Sequence, residues 1–364
     1  MAEQVRAAIL EGPDQISMRR YAMPELAEDS GVLAVEMAGI CHTDVGLYHG
    51  TVKYAPYPVM LGHEILGRIH DIGPTAQKRW GVKRGDRVVV EALVRCGYCR
   101  HCIDGNYKFC EAGVGYGTTI SASVAPHLWG SYSEFMYLAP GTQVYKIPDD
   151  MPASRAILIN VAFANAIQWT IIKGGLQLGD RVVVQGVGPI GLACIAVARE
   201  AGASQIIATG RSSDRGRLEL AKRFTADAVI DVDRQDVVKE VRRLTDGRMA
   251  DLVVDVTGSG AAVVNSIEMV RPSGTVVNAG VTGDTTQTPI MLDRLLYREV
   301  RMIGVFTSSS DAIRRAIDFD RDHKYPFEEL VTDNYPLEQA ETAVRAAGRE
   351  LENPDTIKVT ITPN

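Results

Sequence analysis

The sequence predicts a two-domain α/β protein: a mainly-β part, then a doubly wound parallel sheet, then a C-terminal segment returning to the first part. Three observations predict it. Short alternating patterns surround a Cys41, His63, Glu64 set, four cysteines crowd into residues 96–110, and a Gly186-x-Gly188-x-x-Gly191 run joins a β-branched strand to a helical segment. The expected bounds are 1–157, with a small cysteine lobe at about 95–111, then 158–300 and 301–364. A chain of 364 residues has room for two domains of roughly 150 residues each.

Composition narrows the class. A hydrophobic fraction of 46% and a charged fraction of 23% are those of a globular protein. The net charge of −6, with no long run of Lys or Arg, gives no electrostatic footprint for nucleic acid or an anionic membrane. The N-terminal MAEQVRAAILEGPDQ meets charge and Pro too early for a signal peptide, and no apolar segment is expected to reach the roughly 18 residues that cross a bilayer. A cytoplasmic location is expected. Six cysteines there point to metal or catalytic duties more than to disulfides.

In chain order, 5–10 and 31–38 read as strands joined by a loop carrying Pro and acidic residues. Cys41 follows, then a short helix over 42–49 that sets Thr43 close to it. Thiolate, imidazole and carboxylate are all donors that zinc accepts; the alternative makes Cys41 a small buried hydrophobe and His63 a hydrogen-bonded core residue. A hydroxyl at Thr43, beside a metal-bound oxygen, suits proton transfer, although Thr43 and Asp44 also suit a helix cap. The aromatic loop YAPYP (54–58) suits a pocket wall or plain packing. Strands are expected at 65–72 and 84–91.

Cys96, Cys99 and Cys102 stand at steps of three, with Cys110 eight residues on. Such spacing closes a tetrahedral four-thiolate site with no open position, hence a structural one; a redox or iron–sulfur use competes. His101 lies inside the lobe and is not needed as a ligand. Residues 113–130 read as an irregular excursion ending at Trp129, which suits a pocket wall or packing. A strand at 132–138 and the Pro-bounded KIPDDMP (146–152) close the first domain.

In DRVVVQGVGPIG (180–191) the order strand, glycines, helix is the one a dinucleotide site requires. Gly186 and Gly188 let the backbone turn and approach a pyrophosphate at the N-terminus of the helix that Pro189 and Ile190 begin, and Gly191 lets helix and strand pack closely. About 20 residues after such glycines a carboxylate would hold the ribose of NAD. Here Thr209 is followed by Gly210, Arg211, Ser212, Ser213, Asp214 and Arg215. Gly210 leaves room for a 2′-phosphate and Arg211 or Arg215 neutralises it, which leans to NADP; Asp214 folding back onto the ribose would restore NAD. Further strands at 227–232, 251–258 and 274–281 alternate with helices, so Thr257-Gly258 and Ala279-Gly280-Val281 should border the cofactor at strand carboxyl ends. After residue 300 come MIGVFTSS, an amphipathic helix and a terminal strand KVTIT.

GICHTD (39–44), GHE (62–64), the CxxCxxCx7C lobe (96–110) and GxGxxG (186–191), in this order, resemble the zinc-containing alcohol dehydrogenases of the medium-chain dehydrogenase/reductase superfamily, over essentially the whole chain. The resemblance implies a GroES-like catalytic domain interrupted by a Rossmann domain, a homodimer or homotetramer, and one catalytic and one structural zinc per chain. It implies that Cys41 and His63 bind the catalytic zinc with Glu64 as direct or alternate ligand, that Thr43 accepts the alcohol proton, that Asp44 orients His63, and that His42 approaches the cofactor pyrophosphate. Two positions depart from the pattern. A third protein ligand, usually Cys, falls on Val161, so Glu64 and water are expected to complete the shell, as in the polyol branch. The relay His of some members falls on Gly46, leaving His49 as a weak substitute.

The expected activity is interconversion of an alcohol with its ketone or aldehyde by hydride transfer to NAD or NADP, with the metal as Lewis acid. YAPYP and Trp129 favour a secondary, moderately apolar alcohol over a polyol or sugar alcohol. A non-enzymatic zinc-binding regulatory protein is the remote alternative.

Overall fold

A computed structural model describes residues 4–281, 287–319, 321–351, 353 and 355–363. The chain divides into two compact units, Met1–Asn160 with Phe327–Asn364, and Val161–Pro326. Before the division come strands β1 (Gln4–Gly12), β2 (Gln15–Ala22), β3 (Gly31–Gly39), β4 (Val59–Met60), β5 (Glu64–Ile72), β6 (Arg87–Val90), β7 (Leu93–Val94), β8 (Val114–Gly115), β9 (Phe135–Leu138) and β10 (Val144–Lys146). The second unit holds β11 (Arg181–Gln185), β12 (Gln205–Gly210), β13 (Ala228–Asp231), β14 (Ala250–Asp255), β15 (Val270–Asn278) and β16 (Arg301–Gly304); β17 (Val331–Pro336) and β18 (Lys358–Thr362) belong to the first.

In the first unit, β3 is the organising strand. It pairs antiparallel with β5, β9 and β18, within a sheet ordered β10-β6-β5-β3-β18-β17. Apolar side chains on its two sides enter separate cores, one with Leu33, Val35, Ile65 and Val88, the other with Ala38, Leu47, Tyr132 and Ile361. The terminal strand rejoins the first unit, as the sequence predicts, because β18 lies antiparallel to β3. The expected loop between the first two strands is instead strand β2. Its QISMRRYA lacks an apolar alternation because it is an edge strand, mostly exposed, held by backbone pairing along β1.

The second unit is a six-stranded parallel sheet ordered β13-β12-β11-β14-β15-β16. Its central strands are nearly continuous buried runs of Val and Ile, the pattern of a sheet covered on both faces. Two expected bounds move. The strand Arg301–Gly304 extends this sheet and the helix Ser310–Asp318 belongs to the same unit, so the return comes at Phe327 rather than residue 301, and the first boundary falls after Asn160 rather than 157.

A helical stretch over Ala153–Lys173, with wide turns at Ile159–Phe163 and Ile167–Lys173, was not foreseen. By length and composition alone it would cross a membrane, against the expectation that no segment would. Its most apolar window is 78% buried inside the fold, so that apolarity serves the core.

Candidate metal centre and dinucleotide site

Strand register builds the first site. Gly39, near the end of β3, lies opposite Glu64, the first residue of β5. The residues just beyond, Cys41 after β3 and His63 before β5, therefore meet. The ligand atoms of Cys41, His63 and Glu64 all lie within 4.8 Å of one another. Two glycines make this possible. A Cβ at Gly39 would stand 2.2 Å from Glu64 Oε2, and one at Gly62 would stand 2.4 Å from Ser131 Oγ on a backbone with φ of +95°.

Asp44, fully buried, binds both ligand segments together. Its Oδ2 accepts the Cys41 N–H at 2.8 Å, and its Oδ1 faces His63 Nδ1 at 3.2 Å. One carboxylate thus caps the start of the helix and faces the imidazole. Thr43 Oγ1 lies 3.7 Å from Cys41 Sγ. Burial works against charge on His63, but Asp44 and Cys41 outweigh it and raise the imidazole well above its ordinary range. Burial likewise works against the Cys41 thiolate, and the His63 partner outweighs it, lowering the thiol. Asp44 Oδ1 and His63 Nδ1 are buried without a well-formed hydrogen bond, as expected of a site whose charges are arranged for a further partner. One sulfur, one nitrogen and one oxygen donor, with a carboxylate behind the imidazole, fit zinc.

Lys358 was missed from sequence. Its Nζ reaches Glu64 Oε1 at 2.6 Å, Oε2 at 2.5 Å and the Ile40 carbonyl at 2.9 Å, with both side chains almost wholly buried. Glu64 therefore enters the cluster with its carboxylate held by an ammonium. The available signal was a lysine opening an otherwise apolar, alternating terminal strand, since a buried charge calls for a partner.

The Sγ atoms of Cys96, Cys99, Cys102 and Cys110 also lie within 4.8 Å of one another, and none forms a disulfide. The N–H groups of Cys96 and Cys99 point at the sulfurs of Cys110 and Cys96, each at 3.3 Å. Such donors stabilise thiolate. His101 stays outside the set, with its ring edge-on to Phe109.

At the second site Gly186 has φ of +99°, and Gly188 precedes the helix Pro189–Glu200, where Pro189 and Ile190 open the first turn. A Cβ at Gly191 would stand 1.9 Å from the Gly186 carbonyl oxygen, whereas Gly188 has nothing within 4 Å. The third glycine thus serves packing and the second leaves open space. Thr257 folds back onto Asp255, its N–H at 2.9 Å and its hydroxyl at 2.7 Å. Gly258 and Gly280 come so close that a Cβ on the latter would stand 2.1 Å from the Gly258 nitrogen; Ala279 and the exposed Val281 flank this contact.

The room expected beside Gly210 is filled. A Cβ there would meet Val187 and Leu218 at 2.9–3.1 Å, so this glycine accommodates packing. Asp214 folds back, but onto the Arg211 N–H at 3.2 Å. Arg211 is mostly exposed, near Asp233. Arg215 lines a cavity of about 350 Å³ together with Ser212, Asp231 and Arg234. The acidic member was also missed: Asp231 ends the strand beside β12, opposite Gly210, and accepts from the Ser212 hydroxyl at 2.7 Å.

Other expectations fall away. His49 has both ring nitrogens on carboxylates, Asp14 at 2.6 Å and Glu350 at 2.7 Å, so neither is free to serve a relay. A side chain at Gly46 would meet Val52 at 2.8 Å. Trp129 is buried between Tyr116 and Tyr137, with its Nε1 donating to the Val124 carbonyl; it packs. In YAPYP, Ala55 and Tyr57 lie against the core, and the Tyr57 hydroxyl donates to the Leu47 carbonyl. His42 is exposed at the start of its helix, and Val161 offers no donor atom.

Comparison with known proteins agrees with this geometry. Residues 28–149 match the alcohol dehydrogenase GroES-like domain and residues 189–321 the zinc-binding dehydrogenase domain. A "probable alcohol dehydrogenase" of Mycobacterium tuberculosis is 37% identical, covering 99% of this chain and 98% of its own. D-arabitol-phosphate dehydrogenase of Enterococcus avium is 30% identical, covering 97% and 95%. A zinc-binding dehydrogenase of Sinorhizobium meliloti solved with NADP is 26% identical, covers 99% and 100%, and superposes with a TM-score of 0.87. With ligand set, cysteine lobe and parallel nucleotide sheet in one chain, and relatives alike over its full length, this protein belongs to the zinc-containing alcohol dehydrogenase family and is an oxidoreductase acting on alcohols.

Proposed function

We propose that the protein interconverts a secondary alcohol and its ketone, with NADP as preferred cofactor. The observation that supports this best is the convergence of Cys41, His63 and Glu64 on one point, with Asp44 behind them. A zinc ion held there supplies Lewis acidity to the substrate oxygen, and the nicotinamide supplies hydride chemistry. Thr43, beside Cys41, takes the hydroxyl proton. Asp44 fixes the tautomer of His63, so the imidazole presents its other nitrogen. Lys358 pairs with Glu64, which would complete the ligand set when a metal is bound. The four-thiolate lobe holds a second, structural zinc.

The preference for NADP is supported by Arg211 and Arg215 after β12, by the absence of an acid at Gly210, and by the NADP-bound Sinorhizobium meliloti relative. Asp231 beside Ser212 is an acceptor that favours NAD. A polyol substrate is the second reading, favoured by Val161 and by the arabitol-phosphate relative. We also propose a cytoplasmic homo-oligomer. The deciding experiment follows cofactor reduction at 340 nm with NAD and NADP across alcohols of graded polarity. Turnover of polyols alone, or of NAD alone, would displace the corresponding part of this reading, and full turnover by Cys41→Ser would displace the metal assignment.

A further inference from the structure

We propose that Asp233 is a specificity-determining residue of the dinucleotide site: its carboxylate takes donors that would receive the 2′-phosphate of NADP, and so competes with that phosphate from within the chain. The inference rests on the reading that the turn after β12 receives a 2′-phosphate. Such a group calls for N–H, hydroxyl and guanidinium donors. Arg211 and Ser212, which follow β12 directly, supply one of each. All three face carboxylates. The Ser212 N–H donates to Asp233 Oδ2 at 2.9 Å, its hydroxyl donates to Asp231 Oδ2 at 2.7 Å, and Arg211 Nε stands 3.8 Å from Asp233 Oδ1. Asp233 thus spans a backbone amide and a guanidinium with its two oxygens, as one face of a phosphate would.

Strand register delivers Asp233 there. β12 and β13 run parallel with Gly210 opposite Asp231, and the Val232 N–H donates to the Gly210 carbonyl at 2.9 Å, so the turn after β13 lies alongside the turn after β12. Asp231 shapes that turn: its Oδ1 accepts the Asp233 N–H at 3.0 Å, and Arg234 Nε stands 3.4 Å from its Oδ2. With the Ser212 hydroxyl as a third donor, Asp231 is engaged within the protein, and Asp233 is the acid presented to the Ser212 amide. The Asp233 and Arg211 side chains are 42% and 73% exposed, and ion pairs that open to water are weak. A phosphate can therefore displace the carboxylate, since it brings a charge of about −1.5 to −2 and three acceptor oxygens. NADP binds against this competitor, which the chain holds at high effective concentration. NAD, with only a hydroxyl at that position, leaves Asp233 where it is.

The test titrates the full chain by calorimetry with adenosine 2′,5′-bisphosphate and adenosine 5′-monophosphate, which differ only in the 2′-phosphate. Wild type is compared with Asp233→Asn, which keeps the shape of the side chain, with Asp233→Ala, and with Asp246→Asn, which removes the same charge beyond the far end of the helix Val237–Leu244. Removing a like charge about 4 Å from a bound phosphate is worth about tenfold in affinity at low salt. Both Asp233 variants should therefore bind the bisphosphate about tenfold more tightly and the monophosphate as wild type does. The gain should shrink in high salt, and Asp246→Asn should show none. Unchanged or weaker bisphosphate binding in both Asp233 variants would overturn the proposal, because the carboxylate would then support the turn instead of competing there. If wild type and both variants bound the two nucleotides equally, the 2′-phosphate reading itself would fail; if wild type favoured the bisphosphate and the variants kept that margin unchanged, only the role of Asp233 would.

Discussion

Lys358 and Glu64 form a charge pair almost wholly removed from water, and removing one member of such a pair typically costs about 3–5 kcal/mol because the other is left uncompensated. A bound cation changes that accounting, since Glu64 would then face positive charge from another side. Lys358→Met should therefore lose about 3–5 kcal/mol in urea unfolding of metal-free protein and distinctly less with zinc present. Equal losses in both states would make Lys358 a packing residue. Of the residues in this centre, Cys41, His63, Glu64, Thr43 and Asp44 were legible in sequence because the donor atoms themselves are diagnostic. Lys358 was not: nothing local marks an ammonium that acts 294 residues away in the chain.

The helix His42–Tyr48 carries Thr43 and Asp44 and ends at His49, which joins the turn at Asp14 to Glu350. Glu350, with Asp14 adding to it and partial burial opposing, raises the His49 imidazole above its ordinary value. Because the folded value exceeds the unfolded one of about 6.5, the stabilisation is fully present below the unfolded value and is lost as pH rises through the folded one. The melting temperature of His49→Gln should thus fall furthest below wild type at about pH 6, and the two curves should converge at alkaline pH. A gap independent of pH would mean that His49 acts only through shape. In the nucleotide unit the comparable junction is Gly191, and Gly191→Ala forces a methyl into the Gly186 carbonyl. Overpacking of this kind costs about 1–3 kcal/mol, so dinucleotide binding and the melting temperature should fall together; unchanged binding would remove the third glycine from the site. Elements of strong periodicity, such as β11 and the helix after it, were readable. The edge strand β2 was not, because backbone pairing holds it, and the apolar helix Ala153–Lys173 was not, because its composition alone does not distinguish core from membrane.

At the scale of the molecule, both candidate ligand clusters belong to one unit and the glycine-rich turn to the other. Ligands should therefore act selectively. Chelation should speed amide exchange in β3, β5 and the cysteine lobe while sparing β11 and β14. Saturating NADP at about 100 times its dissociation constant should stabilise the second unit by about 2.7 kcal/mol. Uniform change across both units under either treatment would show that they unfold as one. The strand–helix alternation made the nucleotide unit readable, but its end was misjudged by one strand and one helix: MIGV at 302–305 reads as a strand in either unit, and only its pairing with β15 assigns it.

The discontinuity of the first unit has a consequence for biosynthesis. Residues 161–326 emerge from the ribosome as an unbroken stretch that can fold when complete, whereas the first unit must wait, the end of β3 at Ala38–Gly39 unpaired on one edge, until β18 has been translated. Since β18 also brings the counter-charge of Glu64, nascent chains should hold Cys41 and His63 poorly shielded for as long as the inserted stretch takes to make.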